Sequence, residues 1–570
     1  MQKAWEIASI DRPKCEVFSK ALNLSPILAH LLLRRDISNV EESRKFLSCN
    51  LSFLHDPFLL KDMSKSVDRI ESAIKNEETI LLYGDYDVDG LTATALIFLT
   101  LKDYGARLTY YIPHRLNEGY GLNLEALKVA HKNGVNLVIS VDCGITSVEE
   151  VDFLKKQRID CIILDHHQPL NNVLPDAFAI INPLQRGCEY PYKDLTSVGL
   201  AFKLAAALRS RLRHKHMGEF SPLEEHLDLV ALGTISDVAP ITGENRILVK
   251  HGLRYLASTR KKGLRSLINV AGIGRKRQFF TDTVGFILGP RINASGRLSS
   301  ALQALRLLLT EDEREAKILA EGLDKENRKR QSIEDVILKE AMLKVERDVN
   351  FKSHKVIVIS SDNWHPGVIG IVASRIVERF YRPTVLVAFN ENIGRGSCRS
   401  IKNFHLFEAL SKCSEHLVEF GGHEYAAGIT VFKEKLDTFR ERFNSVATEN
   451  LKPLDLIPRI EIDAEVLLND ITPGLIKELE MMEPFGVGNP KPVFAVRDLS
   501  LRSKPKIINS NTLKLWVTDG EFTYEAIGFR RAFDIRADLA SRRFSLAFTP
   551  SVNEWQGEKS LQLQLKDLKF

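Results

Sequence analysis

Residues 80–101 read ILLYGDYDVDGLTATALIFLTL. Ile80–Tyr83 has the length and apolarity of a short strand, and Leu91–Leu101 that of a buried helix. Between them Gly84-Asp85-Tyr86-Asp87-Val88-Asp89-Gly90 packs three carboxylates into a strand-to-helix turn. Similar apolar runs recur at Leu137–Val141, Cys161–Leu164 and Ala177–Ile181, with helical periodicity between the first three, as in Glu125–His131. Short strands alternating with helices predict βαβ units and a parallel sheet, hence an α/β fold. Each run ends on a polar residue: Asp85, Asp142, Asp165 and Asn182. In open α/β sheets ligands bind beyond the carboxyl ends of the strands, so the acidic residues gather where a site belongs.

The turn at 84–90 begins like a calcium loop, D-x-D-x-D-G, but the acid that should close such a loop is missing, because the chain is already apolar helix there. Like charges this close are costly unless a cation neutralises them. A plainer reading, Asp89 as a helix N-cap, uses one carboxylate and leaves two unexplained. Asp142 in Ser140-Val141-Asp142-Cys143-Gly144 and Asp237 in Gly233-Thr234-Ile235-Ser236-Asp237 would each pass alone for a turn or a cap. Asp165-His166-His167 has the character of a metal-ligand cluster. About five Asp with one or two His suit Mn2+ or Mg2+ better than zinc. More carboxylates than one ion needs imply two ions, a site that hydrolyses phosphoesters or phosphoanhydrides. No GxxxxGK[ST] loop is present, which disfavours nucleotide-driven motor work.

The 570 residues suffice for three to five domains. A composition 44% hydrophobic and 27% charged excludes a collagenous, coiled-coil or wholly disordered chain. The net charge of +5 names no partner, but its distribution is uneven: residues 245–310 hold 13 Lys/Arg and one acid, Asp282. That is either a solvated face or a surface that follows a phosphate backbone. Seven scattered cysteines, none in a CxxC pair, suggest neither disulfides nor zinc. No signal-peptide core and no apolar run of about 20 residues is seen, so the expectation is a soluble, cytoplasmic protein without a membrane or disulfide partner. Residues 311–348 mix 12 acids, 9 bases and spaced apolar residues, the pattern of a long connector helix. A second α/β unit follows: strand Val356–Ile359, helix Val368–Arg379, strand Thr384–Phe389 and helix Leu406–Leu417. After Pro453 and Pro458 the period falls to two, as in Arg459–Val466, Thr512–Val517 and Leu561–Leu565, which predicts a small β-barrel or sandwich.

GDYDVDG, SVDCGI, DHH and GTISDVAP, in this order, resemble the DHH phosphoesterase superfamily. Within it, IPHRLNEGYGL (Ile112–Leu122), GPRINASGRL (Gly289–Leu298), WHPGVIGIVASRI (Trp364–Ile376), GRGSCRS (Gly394–Ser400) and FGGHEYAAG (Phe420–Gly428) resemble the RecJ family of single-strand-specific exonucleases. The resemblance covers about residues 50–570. Behind residues 1–50, which read as a helical extension, it implies a DHH-type parallel-sheet domain (51–300), a connector helix (301–350), a DHHA1-type α/β domain (351–452) and an OB-fold β-barrel (453–570). It implies 5′→3′ degradation of single-stranded DNA to mononucleotides by two-metal hydrolysis, in DNA repair and recombination. The ion ligands would be Asp85, Asp87, Asp142, His166 and Asp237, with Asp89 either ligand or cap, and His167 a neighbouring acid/base or phosphate contact. Ser397 and Arg399 would take the terminal 5′-phosphate, small residues there bringing backbone N–H groups close.

Gly421, Gly422 and His423 would approach the substrate, as would Arg115 and Tyr120 just after a predicted strand, and Arg291, Asn293 and Arg297 in the basic stretch. Trp516, Tyr524, Phe529 and Arg530 are candidates for base stacking or phosphate contact, with core packing the stronger reading for each. A single-strand-binding protein and a helicase would be partners. Two alternatives remain open: a DHH phosphodiesterase acting on short oligonucleotides, and a homologue that binds single strands without cutting. DHH pyrophosphatases and cyclic-dinucleotide phosphodiesterases carry a His four residues before the paired Asp; that position here is Tyr83.

Overall fold

The computed structural model describes residues 3–115, 117–169, 173–212, 222–274, 278–509, 511–529, 542–555 and 558–570. Strand β1 (Ala4–Ile7) opens the chain. The first lobe contains β2 (Thr79–Gly84), β3 (Arg107–Tyr111), β4 (Val135–Val141), β5 (Asp160–Leu164) and β6 (Ala179–Ile181), a wholly parallel sheet in the order β3-β2-β4-β5-β6. The four apolar runs are its inner strands and one edge; the other edge, β3, is the strand that precedes Arg115. Alternation divides β2 between two cores. Ile80 and Leu82 face helices Val88–Asp103 and Ser197–Leu212, whereas Leu81 and Tyr83 face Leu124–Lys132 and Val148–Lys156. The sheet is therefore covered on both faces, as a parallel sheet requires.

The connector is a helix of 36 residues, Glu313–Asp348. Ala320 and Leu323 enter the core of the first lobe, and Ile337, Ala341 and Val345 that of the second. The second lobe holds β7 (Ile357–Ser361), β8 (Thr384–Asn390), β9 (Ile393–Arg399), β10 (Glu419–Gly422) and β11 (Ala426–Phe432), ordered β10-β11-β9-β8-β7. Only β7 and β8 run parallel. The helix expected over Leu406–Leu417 stops at Ser411, because Val418 already donates to Thr430 O (2.8 Å) and the chain must extend to meet β11.

The last domain comprises β12 (Arg459–Ile462), β13 (Ala464–Glu465), β14 (Phe494–Leu501), β15 (Lys506–Ile508), β16 (Thr512–Thr518), β17 (Thr523–Gly528), β18 (Phe544–Trp555) and β19 (Glu558–Lys569). Its pairings run β14–β18–β19–β17–β16, and β16 pairs again with β14 at Ser500–Leu501. The N-terminal segment belongs to this domain: β1 pairs in parallel with β12, Leu28 and Leu31 lie in its core, and His30 Nε2 meets Asp463 O at 2.8 Å.

Arg246 joins three parts of the chain. The residue is 1% exposed, and its guanidinium lies 3.9 Å from the Phe46 ring centre. It donates to the carbonyls of Phe46, Met481, Met482, Glu483 and Pro484 at 2.7–3.1 Å. This arginine explains part of the basic stretch. Lys250 donates to Leu47 O, while Arg260, Lys261, Arg265, Arg291 and Arg306 pair with Glu225, Asp228, Glu313, Asp324 and Glu315. The balancing acids come from other segments, so much of the stretch is internal pairing rather than an open phosphate track. Residues 275–277 lie outside the described residues. Arg246→Ala should strand five carbonyls and lower stability by about 3 kcal/mol or more, read as a lower urea midpoint. A change within about 0.5 kcal/mol would show that this arginine does not hold the parts together.

Candidate metal centre

The carboxyl ends of β2, β4 and β5 and the end of helix Leu227–Ser236 converge. Asp87, not Asp89, caps the helix after β2: its Oδ1 accepts from Asp89 N (2.9 Å) and Gly90 N (3.1 Å). Asp89 reaches another helix instead. Its oxygens accept from Ser197 N (2.7 Å) and Val198 N (3.0 Å), at the start of Ser197–Leu212. Ser197 Oγ donates to Asp142 Oδ1 (2.8 Å), so one helix start orients two carboxylates. Asp142 and Val238, beside Asp237, both hold a left-handed backbone (φ 64°). That conformation is costly for a non-glycine residue and is found at functional turns.

The side chains form three groups: Asp85, Asp87 and Asp142; Asp89, His166 and Asp237; and Asp142, His166 and His167, which shares one member with each of the other two. His166 Nε2 joins the first two, 3.4 Å from Asp142 Oδ1 and 3.9 Å from Asp237 Oδ2. Two buried atoms here, Asp85 Oδ1 and His166 Nε2, have no hydrogen-bond partner among the described residues. Oxygen-rich donors with an imidazole and orphaned buried ligand atoms fit divalent cations. Burial, then Asp237, pushes the Asp89 carboxyl up to about 7. Burial likewise holds Asp237 at about 6, and burial with Asp87 raises Asp85 and Asp142. Burial favours the neutral form of His166, but Asp89 and Asp237 outweigh it and raise its pKa.

Asp165 lies behind the triads. It accepts from Ile145 N (3.0 Å), His167 N (3.1 Å) and His167 Nδ1 (2.8 Å). Burial alone would raise it; the bonds and charges of the histidines bring it below the usual carboxylate range. Against burial, the Asp165 bond lifts His167 to about 9. Tyr120, half-exposed, puts its hydroxyl 3.0 Å from His167 Nδ1 and donates to Asp142 O.

Near Asp87 three guanidiniums gather around Arg297, with Arg115 and Arg297 from the first lobe and Arg399 from the second. Arg115 stacks on Tyr86, between Asp85 and Asp87, at 4.9 Å. Arg297 donates to Gly367 O (3.3 Å). Burial, then the nearby Arg115, Arg330 and Arg399, pushes the Arg297 guanidinium down to about 10. Arg399 donates to Ser397 Oγ (3.3 Å), and a Cβ on Gly370, in helix Ile369–Phe380, would lie 2.9 Å from that oxygen and 3.2 Å from Arg399 Nη2. Burial lowers Arg399 as well. Among the described residues Arg115, Arg297 and Arg399 have no carboxylate partner, a standing invitation to an anion.

Three segments match family models: residues 79–234 the DHH family N-terminal domain, 353–449 the DHHA1 domain and 462–567 the RecJ OB domain. The chain is 40% identical to the single-stranded-DNA-specific exonuclease RecJ of Bacillus subtilis, over 99% of this chain and 70% of that one. It is 34% identical to RecJ of Escherichia coli over 96% of each. The chain belongs to the RecJ family. The crystal structure of RecJ in complex with Mn2+ from Thermus thermophilus superposes with TM-score 0.84 at 30% identity, covering 100% of this chain and 79% of that one, and its Mg2+ complex gives 0.78.

Within this RecJ-family structure the GRGSCRS segment differs from expectation. It forms β9, paired on both sides by β8 and β11, so its backbone N–H groups are committed to the sheet. Gly394 and Gly396 are small because a Cβ would strike Val387 and Ile429 at 2.5 Å. Only the side chains of Ser397 and Arg399 remain for an anion. Arg291 is turned onto Asp324 and Ile287 O, and Asn293 is half-buried on helix Gly289–Leu298. Gly421 and His423 are exposed at the β10 edge, and Gly422 (φ 143°) leaves no room for a Cβ against Ala426 O. Tyr524 packs and donates to Ile471 O, while Trp516 and Phe529 are exposed; Arg530 lies outside the described residues. Ser197, Asp165 and Asn182, which donates to His167 O (2.9 Å), were not foreseen in these supporting places. The signal for Ser197 is only a Ser before an apolar run.

The raised carboxyls set a pH dependence. Below about pH 6–7 Asp237 and Asp89 hold protons that an incoming ion must displace, so Mn2+ affinity should rise between about pH 5 and 8 with proton release. The folded metal-free chain binds more protons than the unfolded chain above the ordinary carboxylate pKa, so this cluster destabilises it as pH climbs to about 7, and Mn2+ should reverse the loss. Calorimetric Mn2+ titration in buffers of different ionisation enthalpy tests this; affinity flat over that range would contradict it.

Proposed function

We propose that the chain is a divalent-metal-dependent exonuclease that removes mononucleotides from the 5′ end of single-stranded DNA, acting in DNA repair and recombination. The observation that carries this reading is the pair of ligand triads close to three guanidiniums that, among the described residues, lack carboxylate partners. Asp85, Asp87 and Asp142 would hold one Mn2+ or Mg2+, and Asp89, His166 and Asp237 the other, with Asp89 also serving the helix start. Ions so held activate water and offset the charge that develops in phosphodiester displacement. The protein's own part follows from its geometry. Ser197 and its helix start fix the orientation of Asp89 and Asp142. Asp165 and Tyr120 hold His167 beside Asp142, where a charged imidazole can contact phosphate or pass a proton.

Arg399, Ser397, Arg115 and Arg297 would receive the terminal 5′-phosphate and set the register of the cut. Gly421, Gly422, His423, Asn293 and Arg291 are proposed as further substrate contacts along the strand, Arg291 needing to leave Asp324. The domain with exposed Trp516 and Phe529 favours a polymer over a dinucleotide. Among the described residues no helix is long and apolar enough to cross a membrane, and the seven cysteines are free and buried. A cytoplasmic location, and a helicase and a single-strand-binding protein as partners, belong to the same proposal.

With Mn2+ and single strands labelled at either end, the expected result is mononucleotides from the 5′ end. Asp142→Ala should slow release by at least about 100-fold, and Arg399→Ala should cut the preference for a 5′-phosphate about tenfold. Cleavage of dinucleotides alone, or release from the 3′ end, would overturn the reading.

A further inference from the structure

Asp237 stands on the turn between helix Leu227–Ser236 and helix Gly243–Ala257. Three residues before it, the hydroxyl of Thr234 shares a hydrogen bond with that of Thr196 (3.1 Å), both side chains being fully buried. Three residues after it, Pro240 O accepts from Asn245 Nδ2 (3.1 Å). The same Nδ2 donates to Asp194 O (2.6 Å). Asp194 and Thr196 lie on the segment that runs into Ser197, whose N–H and hydroxyl hold Asp89 and Asp142. The Asp237 turn is therefore fastened on each side to the segment that orients two other carboxylates of the site. Tyr192 adds a longer contact to Pro240 O (3.4 Å), and Ile241 donates to Val487 O (2.7 Å), which holds the loop to the last domain but not to Asp89.

Asn245 is completely buried, and its Oδ1 has no partner among the described residues. A buried amide with an idle oxygen is costly, so the residue is retained for its donor. Two carbonyls converge on Nδ2, which fixes the amide in one orientation, since the reverse would set oxygen against oxygen. Between the two ties Val238 holds a left-handed backbone (φ 64°) with its side chain exposed. A β-branched residue keeps that conformation only where its surroundings impose it. The fit is close: a Cβ on Gly233 would lie 2.8 Å from Asp89 Oδ1 and 2.7 Å from Val198 Cγ1. The start of helix Ser197–Leu212 has other anchors, in its bonds to Asp89 and in buried Lys203, which donates to Glu244 Oε1 (2.5 Å). With Asn245 removed, it is the Asp237 side that is free to shift.

We propose that Asn245 is a positioning residue of the metal centre. By tying Asp194 to Pro240 it sets the span between Asp237 and the Asp89 carboxylate, and so governs how tightly the ion of Asp89, His166 and Asp237 is held. The assignment rests on the two-ion reading above. The test is calorimetric Mn2+ titration of the full chain, with electron paramagnetic resonance of the bound ions and urea midpoints of the metal-free proteins. The unaltered chain should take up two ions. Asn245→Ala and Thr234→Val should each weaken one ion about 10–100-fold, as loss of a group that orients a ligand does. The other ion should stay within about twofold, leaving a single uncoupled Mn2+ at intermediate metal concentration. Thr234→Ser, which keeps the hydroxyl, should bind both ions like the unaltered chain. Adding Asn245→Ala to Asp237→Asn should weaken Mn2+ binding no further, because both act on one ion. A folded Asn245→Ala chain with a lower urea midpoint but both ions bound as before would make the residue structural only and overturn the proposal, as would equal weakening of both ions. Should Asn245→Ala fail to fold, Thr234→Val against Thr234→Ser decides by the same criteria. One ion in the unaltered chain would remove the two-ion reading and this proposal with it; two ions there, unchanged in the variants, would remove this proposal alone.

Discussion

Six carboxylates at the ends of three parallel strands and one helix cannot all stay charged together in a buried space. That repulsion is the constraint around which the first lobe is organised. Burial and mutual charge raise Asp85, Asp89, Asp142 and Asp237 together. The protein relieves part of it by aiming the start of helix Ser197–Leu212 at Asp89 and Asp142, and by letting Asp87 cap its own helix. Asp165 is the exception that shows the rule: three hydrogen bonds, two from His167, keep it charged although wholly buried. What remains unrelieved, Asp85 Oδ1 and His166 Nε2, marks where cations are needed.

Much of this was legible in the chain itself. The strand-to-helix turn at 84–90, and the polar residue closing each apolar run, located the sheet and the site because the strand ends of a parallel sheet share one side. The roles within the site were less legible. Asp89 looked like the cap of its own helix, yet Asp87 is, since an N-cap must lie just before the first turn and its partner is decided by backbone geometry that composition does not carry. The glycines at 394 and 396 suggested a phosphate loop, whereas they serve close packing within β9. The basic stretch looked like a groove because its partner acids, Glu225, Asp228, Glu313, Glu315 and Asp324, are distant or excluded from the window counted. The first 50 residues read only as a helical extension, because part of what they bury, including Leu28 and Leu31, belongs to a domain more than 400 residues away.

Two of the contacts that join the three domains are deeply buried. The connector helix is shared between two cores, and Arg246 ties the N-terminal segment, the first lobe and the last domain through five carbonyls. Such an arrangement keeps Arg399 of the second lobe near Arg297 and Arg115 of the first. The cationic side of the site draws Arg115 and Arg297 from the first lobe and Arg399 from the second, so a phosphate held there would bridge the two lobes.

The central claim is that two disjoint triads hold two ions. The most direct measurement is metal counting with electron paramagnetic resonance on the Mn2+-loaded chain. The account predicts two Mn2+ per chain, close enough to couple magnetically. One isolated Mn2+ per chain at saturation would contradict it.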